Sequence, residues 1–224
     1  MVTRRIAGEP LEQLLGWAEF AGLRVLVRPG VFVPRRRTEY LVDRAAVRVA
    51  GAAEPTGPVV VDLCCGSGAI GLALAARLDI GELHAADVAP AAVECARLNL
   101  GPVGGLVHEG DLLDAPPVRL RGRIDLLAAN VPYVPTAALA TMPPEARAHE
   151  PRVALDGGAD GLDVVRRVAA ALPGWLTPGG WVLVETSKEQ TATAAAVFGR
   201  AGLMAEIEVA PHGGSHVVAA RSRR

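Results

Sequence analysis

The chain has 224 residues, half of them apolar, which is enough for one well-buried domain and too few for two of ordinary size. Its formal net charge of −1 excludes a global basic field of the kind that attracts nucleic acid. No apolar stretch is long enough to span a bilayer, and the N-terminus has too little apolar sequence for a signal peptide. We therefore expect a soluble cytoplasmic protein with no membrane partner and no stable nucleic-acid partner.

Two local features, the basic runs and the cysteines, could still contribute to a binding site. The basic runs 35–37 and 221–224 could contact phosphate or an acidic protein surface, but such runs are more often solvated, and we expect that here. Cys64 and Cys65 are adjacent and Cys95 lies in a predicted helix, so the cysteines suggest neither disulfides nor a metal site. We expect three reduced thiols and no bound metal.

The N-terminal quarter predicts several short elements ahead of the central part of the chain. Apolar residues recur at helical spacing over residues 9–20, and Gly22 would close that helix. The elements expected after it are a strand pair of residues 23–27 and 31–33 around Arg28-Pro29-Gly30, a helix over residues 38–50, and a polar linker over residues 54–58.

The chain is organised around Val59–Leu63 and the glycine-rich turn that follows. A continuous β-branched run is typical of a central parallel strand buried on both faces. Gly66 and Gly68 would let the backbone turn sharply and let a ligand approach closely. A helix is predicted from Ala69, and its free N–H groups would face the loop. This strand, turn and helix predict a site for a nucleotide-like ligand.

The acid before the turn, Asp62, indicates which class of ligand the loop would bind. The spacing of Gly66, Gly68 and Gly71 formally fits the dinucleotide fingerprint G-x-G-x-x-G, but Asp62 would repel a pyrophosphate. The same acid would hold a cationic ligand that carries an amino group. Asp87 ends the next predicted strand and is suited to ribose hydroxyls, although a helix N-cap is the alternative. Because strand ends meet where the strand order switches, both acids and the glycines should converge on one site.

Strands and helices alternate through the rest of the chain, which predicts an α/β domain. Asp111 and Leu112 follow a weak strand and could contact an adenine, the acid by accepting from its amine and the leucine by packing on its ring. The predicted elements are strand 82–87, helix 89–100, strands 104–109 and 123–129, helix 161–172, strand 180–185, helix 188–198, and strands 205–209 and 216–220.

Two motifs carry a resemblance to a known class of enzyme. Gly-x-Gly preceded by an acid resembles motif I of the class I S-adenosylmethionine-dependent methyltransferases. Asn130-Val131-Pro132-Tyr133 resembles the N-P-P-Y motif of methyltransferases that act on planar NH2 groups of glutamine amides and nucleobases. The resemblance implies that Oδ1 of Asn130 and the carbonyl of Val131 each accept one acceptor N–H, while Tyr133 stacks on the planar group. Since Val131 would contribute its carbonyl, we expect its replacement of proline to preserve function.

Further motifs resemble the release-factor glutamine N5-methyltransferase family over nearly the whole chain. They are Gly8-Glu9-Pro10-Leu11, residues 29–35 with Thr38-Glu39, Glu150-Pro151-Arg152 and residues 158–162. This resemblance implies a Rossmann-like, seven-stranded, mostly parallel sheet with helices on both faces. It also implies S-adenosylmethionine as cofactor and, as protein substrate, the Gly-Gly-Gln glutamine of a peptide-chain release factor.

The resemblance also assigns domains and site residues. Residues 1–55 are expected to form an N-terminal helix, β-hairpin and linking helix, the remnant of a substrate-side cap, and residues 56–224 the methyltransferase domain. The catalytic residues would be Asn130, Val131, Pro132 and Tyr133. The cofactor-binding residues would be Asp62, Cys64, Gly66, Ser67, Gly68, Asp87, Val88, Asp111, Leu112 and Asn130.

Three alternatives stay open. A nucleobase amine methyltransferase could use the same loop, but the neutral net charge and the lack of room for a target-recognition domain oppose it. A small-molecule amine methyltransferase would need no large substrate-binding domain. A non-catalytic module that retains the cofactor is opposed by the intact Asn130, Pro132 and Tyr133.

Overall fold

The run Val59–Leu63 forms strand β3 at the centre of a seven-stranded sheet, and all five of its residues are buried. This computed structural model describes residues 2–50, 56–211 and 213–223. Side chains of β3 alternate between two apolar clusters, with Val61 and Leu63 in one and Val60 in the other. The strand therefore has no polar face, as the continuous apolar run predicts.

The sheet is mostly parallel, as predicted. Its strand order is β5-β4-β3-β6-β7-β9-β8; among the described strands of this sheet, β9 pairs antiparallel with β7 and β8, and the other pairs are parallel. From β3 the chain moves outward through β4 and β5 and then returns to β6 on the other side of β3, so the strand order switches there. The remaining strands are β4 Glu82–Asp87, β5 Leu106–Glu109, β6 Ile124–Ala129, β7 Leu176–Thr186, β8 Met204–Val209 and β9 His216–Arg221.

Helices cover both faces of the sheet. One face packs against α3 (Glu39–Val49), α4 (Ala69–Ala75) and α5 (Pro90–Leu100), and the other against α7 (Asp163–Ala171) and α8 (Thr191–Arg200). A short helix α6 (Pro144–His149) lies in the long connection between β6 and α7. Burial of each large apolar side chain in these layers contributes about 1.5–3 kcal/mol to folding. No helix within residues 2–50, 56–211 and 213–223 has both the length and the apolar character needed to cross a membrane.

The N-terminal elements differ from the prediction. The structure has helices α1 (Val2–Ile6) and α2 (Leu11–Leu15), followed by an antiparallel hairpin of β1 (Trp17–Phe20) and β2 (Leu23–Leu26). The predicted helix over residues 9–20 is therefore too long, because Gly16 adopts a φ of +76° and ends α2 there.

The hairpin turns at Ala21 and Gly22, so the predicted strand pair around Arg28-Pro29-Gly30 is wrong. Alternating residues of the hairpin, Ala18, Phe20 and Val25, are buried, and this period of two prevails over the helical spacing. The predicted linking helix is confirmed as α3. The first residues of the predicted linker and the boundary at residue 55 lie outside the described residues.

Candidate active site

A cleft of 210 Å³ opens at the carboxyl ends of β3, β4, β5 and β6, next to the switch of strand order. The structure brings eleven of the sequence-predicted site residues into its wall. Asp62 and Gly68 do not line it. The lining residues are Cys64, Gly66, Ser67, Asp87, Val88, Asp111, Leu112, Asn130, Val131, Pro132 and Tyr133.

The two loop glycines serve different purposes. Gly66 has a φ of +55°, and a Cβ there would meet only the Cβ of Phe32, at 4.0 Å, so a ligand can approach this backbone closely. Gly68 has a φ of +77°, but its Cβ would lie 3.0 Å from Leu100 in α5. The predicted close approach of a ligand therefore applies to Gly66, whereas Gly68 lets two helices pack. Cys64 also adopts a left-handed φ of +55°, which is costly for a residue with a Cβ.

Asp87 anchors the glycine-rich loop to the start of α5. Its Oδ2 accepts a hydrogen bond from the Gly66 N–H and its Oδ1 accepts one from the Ala89 N–H, each at 2.9 Å. The residue at the N-cap of α5 is Ala89, so the alternative that Asp87 is the N-cap does not hold. Burial raises the pKa of Asp87 above its usual value. Each oxygen keeps acceptor capacity toward the cleft.

Asp62 lies behind the loop. It is fully buried on β3, and its Oδ2 accepts a hydrogen bond from the Gly71 N–H at 2.8 Å. Its Oδ1 has no hydrogen-bond partner among the described residues. Burial raises the pKa of Asp62 to about 8. A direct contact between Asp62 and the amino group of a ligand stays a prediction, with Oδ1 as the available atom.

Asp111 and Leu112 lie at the other end of the cleft. Asp111 is exposed, and its Oδ2 accepts a hydrogen bond from Nη2 of Arg167 at 2.6 Å. An exposed pair of this kind contributes about 0–1 kcal/mol, so it leaves the carboxylate free to bind something else. Leu112 begins a 3-10 turn with a left-handed φ of +50°.

The side chain of Asn130 is oriented by α3 and the turn before it. Its Nδ2 donates to Oγ1 of the buried Thr38 at 3.5 Å, a long hydrogen bond. The amide oxygen Oδ1 is therefore the atom left for a ligand. Val131, which follows in the cleft wall, is 2% exposed, so its side chain belongs to the core, and its main-chain carbonyl is the group it can offer to a ligand.

The hydroxyl of Tyr133 is fixed by two charged groups. It donates to Oε1 of Glu185 at 3.0 Å and accepts from Nη2 of Arg37 at 2.7 Å. Arg37 closes the triangle by donating from Nε to the same Glu185 oxygen at 3.0 Å. Burial, and then the charge of Glu185, raises the pKa of Tyr133 to about 12, so the phenol is neutral at physiological pH.

The backbone of the same loop rests on a glycine-rich segment. A Cβ on Gly157 would lie 2.7 Å from the Pro132 carbonyl oxygen, and one on Gly161 would lie 2.2 Å from that of Tyr133. These residues must be glycine for the loop to sit where it does. Gly161, which the sequence offered only as part of the resemblance at residues 158–162, thus has a physical role together with Gly157 in supporting the Asn130 to Tyr133 loop.

Sequence reasoning missed the charged groups of the cleft. Arg35 and Arg37 both line it and each pairs with a buried carboxylate. The expectation of a solvated run at residues 35–37 therefore fails for the half-buried Arg35, whereas Arg36 and Arg37 are exposed. Arg35 pairs with Oε1 of Glu150, a residue that is 6% exposed and whose pKa is raised by burial. Oε2 of Glu150 has no hydrogen-bond partner within the part of the chain that the structure describes.

The sequence distance between these arginines and their partners explains why sequence analysis did not predict the ion pairs. Glu150 is 115 residues from Arg35, and Glu185 is 148 residues from Arg37, so no local pattern links them. In the second basic run Arg221 differs from the expectation, because its Nε donates to the Gly179 carbonyl at 3.1 Å, whereas Arg223 is exposed as expected. Arg224 lies outside the described residues.

The chain is similar to known methyltransferases. The family model for the methyltransferase small domain matches residues 22–141. A release factor glutamine methyltransferase of Geobacter sulfurreducens is 41% identical over 204 residues, which cover 90% of this chain and 69% of that protein. A 4-amino-L-phenylalanine/4-methylamino-L-phenylalanine methyltransferase of Streptomyces pristinaespiralis is 36% identical over 203 residues, with the same two coverages.

The fold is also shared with a solved structure. The release-factor-specific protein-(glutamine-N5) methyltransferase of Alicyclobacillus acidocaldarius matches with a TM-score of 0.52 and 23% identity, over 86% of this chain and 95% of that one.

The strand order and the cleft at the carboxyl ends of the central strands are those of the class I methyltransferase fold, and the family model and the relatives show that the chain is a methyltransferase. Within that class, the chain belongs to the release factor glutamine methyltransferase family.

Proposed function

We propose that this enzyme transfers a methyl group from S-adenosylmethionine to the side-chain amide nitrogen of a protein glutamine, that of the Gly-Gly-Gln loop of a peptide-chain release factor. The observation that carries the proposal is the orientation of Asn130. Thr38 holds Nδ2, which leaves Oδ1 toward a cleft that the glycine-rich loop also lines. The names of the relatives from Geobacter sulfurreducens and Streptomyces coelicolor support the same acceptor. A substrate in the translation machinery implies a cytoplasmic location.

The residues of the cleft fit the proposed cofactor. Bound S-adenosylmethionine would supply an electrophilic methyl group carried by a positively charged sulfur. The open side of Gly66 would accommodate close approach, and Asp87 would accept hydrogen bonds from ribose hydroxyls. The unpartnered Oδ1 of Asp62 suits the amino group. The remaining proposed contacts are Cys64, Ser67, Gly68 through the turn it allows, Val88, Asp111, Leu112 and Asn130.

At the acceptor end, catalysis would be positional. Oδ1 of Asn130 and the carbonyl of Val131 would each accept one N–H of the acceptor amide, which turns the nitrogen lone pair toward the methyl group. Pro132 would restrict the loop, and the neutral ring of Tyr133 would stack on the planar amide. The amide nitrogen would form its bond to the methyl group as the methyl–sulfur bond breaks with its electrons left on sulfur, and the methylated nitrogen would then release one of its protons to water. Since the nitrogen needs no prior deprotonation, no general base is required for the transfer itself.

The N-terminal segment is proposed to lie on the substrate side. Nη1 of Arg5 in α1 pairs with Oε1 of Glu145 in α6 at 3.2 Å, and Nε2 of Gln13 in α2 donates to the carbonyl of Val31 at 3.2 Å. Val31 lines the cleft. These contacts support the assignment of residues 1–55 to a substrate-side cap.

The test is direct. The protein is incubated with methyl-labelled S-adenosylmethionine and a purified bacterial release factor, and peptide mass spectrometry locates the label. We expect one methyl group on the Gly-Gly-Gln glutamine. A release factor in which that glutamine is replaced is the control. Label at another residue, or none while the cofactor is bound, would contradict the proposal.

A small-molecule amine is the second candidate acceptor. The relative from Streptomyces pristinaespiralis, whose name refers to an aromatic amino acid with a ring amine, is 36% identical over 90% of this chain. The same cleft residues would serve, because an arylamine also carries a planar, weakly nucleophilic NH2 group. Parallel incubation with 4-amino-L-phenylalanine separates the two, since only one acceptor should take up label at a useful rate.

A further inference from the structure

Tyr133 is attached at both ends to one short segment of the chain. Its hydroxyl donates to Glu185, near the end of β7, and its main-chain carbonyl accepts a hydrogen bond from Nε2 of Gln190 at 2.8 Å. Gln190 directly precedes α8 and is only five positions further along the chain. The segment from Glu185 to Gln190 therefore spans the tyrosine from its backbone to the tip of its ring.

Gln190 is itself held rigidly. It is 7% exposed, its Oε1 accepts from the Ser187 N–H at 3.1 Å, and its Nε2 also donates to the Asp160 carbonyl at 2.9 Å. All the hydrogen bonds of its amide go to main-chain groups. Because β7 is paired on both sides and α8 packs on the sheet, this amide connects the loop that holds Tyr133 to the rigid centre of the domain.

Glu185 is in an unusual position for a charged group. The residue is 1% exposed, its Oε1 receives hydrogen bonds from both Tyr133 and Arg37, and its Oε2 has no hydrogen-bond partner among the described residues. A buried carboxylate is costly unless it is well paired. A structural ion pair between Glu185 and Arg37 would not require the tyrosine hydroxyl, yet the structure aims that hydroxyl at the same oxygen.

We propose that Glu185 and Gln190 are positioning residues that act on methyl transfer through Tyr133. Held at its carbonyl and its hydroxyl, the ring cannot swing about its Cα–Cβ bond or shift with the loop without breaking a hydrogen bond. Its position beside Asn130 is therefore fixed. A displacement of about 1 Å at a reacting group can lower the rate roughly a hundredfold. Holding the Tyr133 ring at two points should therefore preserve the rate of methyl transfer. Only the catalytic part of this inference rests on the proposed function.

The first experiment needs no acceptor. The protein contains two tyrosines, Tyr40 and Tyr133, so tyrosine labelled with 13C at the ring carbon bearing the hydroxyl should give two NMR signals, assigned with Tyr133→Phe. We expect Glu185→Gln to move the Tyr133 signal and lower the pKa of its phenol. The Tyr40 signal, whose hydroxyl donates to Val209, should stay in place. An unmoved Tyr133 signal would overturn the proposal.

The role of Gln190 is tested by the NMR signal of the main-chain carbonyl of Tyr133. In Gln190→Met the side chain keeps its approximate length and loses the donated hydrogen bond, so the 13C signal of that carbonyl should shift. Thr191→Ala is the matched control, because Thr191 is the next residue and its Oγ1 bonds only to the Lys188 carbonyl. If both variants leave the Tyr133 carbonyl signal unchanged, Gln190 does not position it.

The second experiment measures turnover with whichever acceptor the labelling assay identifies. We expect Glu185→Gln to lower kcat about tenfold in the native background and to cause no further loss in the Tyr133→Phe background. Cofactor affinity should be unchanged in both. Equal losses in the two backgrounds, or a loss of cofactor affinity, would overturn the proposal. If the release factor takes up no label, the proposed function fails, while the NMR result still decides the role of Glu185.

Discussion

Removal of the Asn130 amide is the sharpest perturbation of the proposed chemistry. Among the described residues this side chain makes one hydrogen bond, to Thr38, and at 3.5 Å it is long, so Asn130→Ala should cost the fold less than about 1 kcal/mol. Because Oδ1 is one of two proposed acceptors for the substrate N–H groups, its loss should lower kcat about a hundredfold. That factor corresponds to about 2.7 kcal/mol of transition-state stabilisation.

Single-turnover transfer of label from methyl-labelled S-adenosylmethionine gives the rate, and calorimetry gives the cofactor affinity, which should change much less than the rate because Asn130 is one of many proposed cofactor contacts. Thr38→Val is the matched control, since it removes the partner of Nδ2 and leaves Oδ1 in place. We expect it to lower the rate by about tenfold or less, through loss of orientation alone. An unchanged rate for Asn130→Ala would refute the proposed role. Loss of cofactor binding would mean that Asn130 acts mainly as a cofactor contact and not on the acceptor.

Three further predictions concern the cofactor side of the cleft. Asp87→Ala removes the acceptor of the Gly66 and Ala89 N–H groups and should weaken S-adenosylmethionine binding by about 1–3 kcal/mol in calorimetry, and unchanged affinity would refute the assignment. Asp62 has a pKa raised to about 8 in the folded protein, so its contribution to stability should be present at low pH and lost as pH rises toward 8. Denaturation at several pH values should show this loss in the native chain and less of it in Asp62→Asn. Gly68→Ala adds a Cβ 3.0 Å from Leu100 at a φ of +77° and should lower the free energy of unfolding by about 1–3 kcal/mol. Gly122→Ala, with a φ of +69° and open space around it, should cost less, and equal losses would argue against the steric reason.

Local patterns were sufficient for much of the fold. The continuous β-branched run at Val59–Leu63 predicts a strand buried on both faces, and the structure confirms it. The alternation of strands and helices after it predicts an α/β domain, the family resemblance implies the mostly parallel sheet that the structure has, and Pro90 begins α5 as its fixed φ allows. These features depend on residues that are near one another in sequence, so periodicity and turn chemistry are enough to predict them.

The prediction of a helix over residues 9–20 failed where local signals competed. The spacing of Leu11, Leu14 and Ala18 suits a helix, yet Ala18 and Phe20 also alternate as a strand requires. Pairing with β2 and burial against the sheet select the strand over the helix, and neither can be deduced from residues 9–20 alone.

The sequence by itself determined the strand, the glycine-rich turn, the acids at the strand ends and the Asn130 to Tyr133 loop, because each is written in a few consecutive residues. Only the tertiary structure decided how these parts are held. It brought Glu150 to Arg35 across 115 residues, Glu185 to Arg37 across 148, and Gln190 to the backbone of Tyr133 across 57. The physical reason is that a buried charge or amide is stable only beside a matching partner, and folding alone selects that partner.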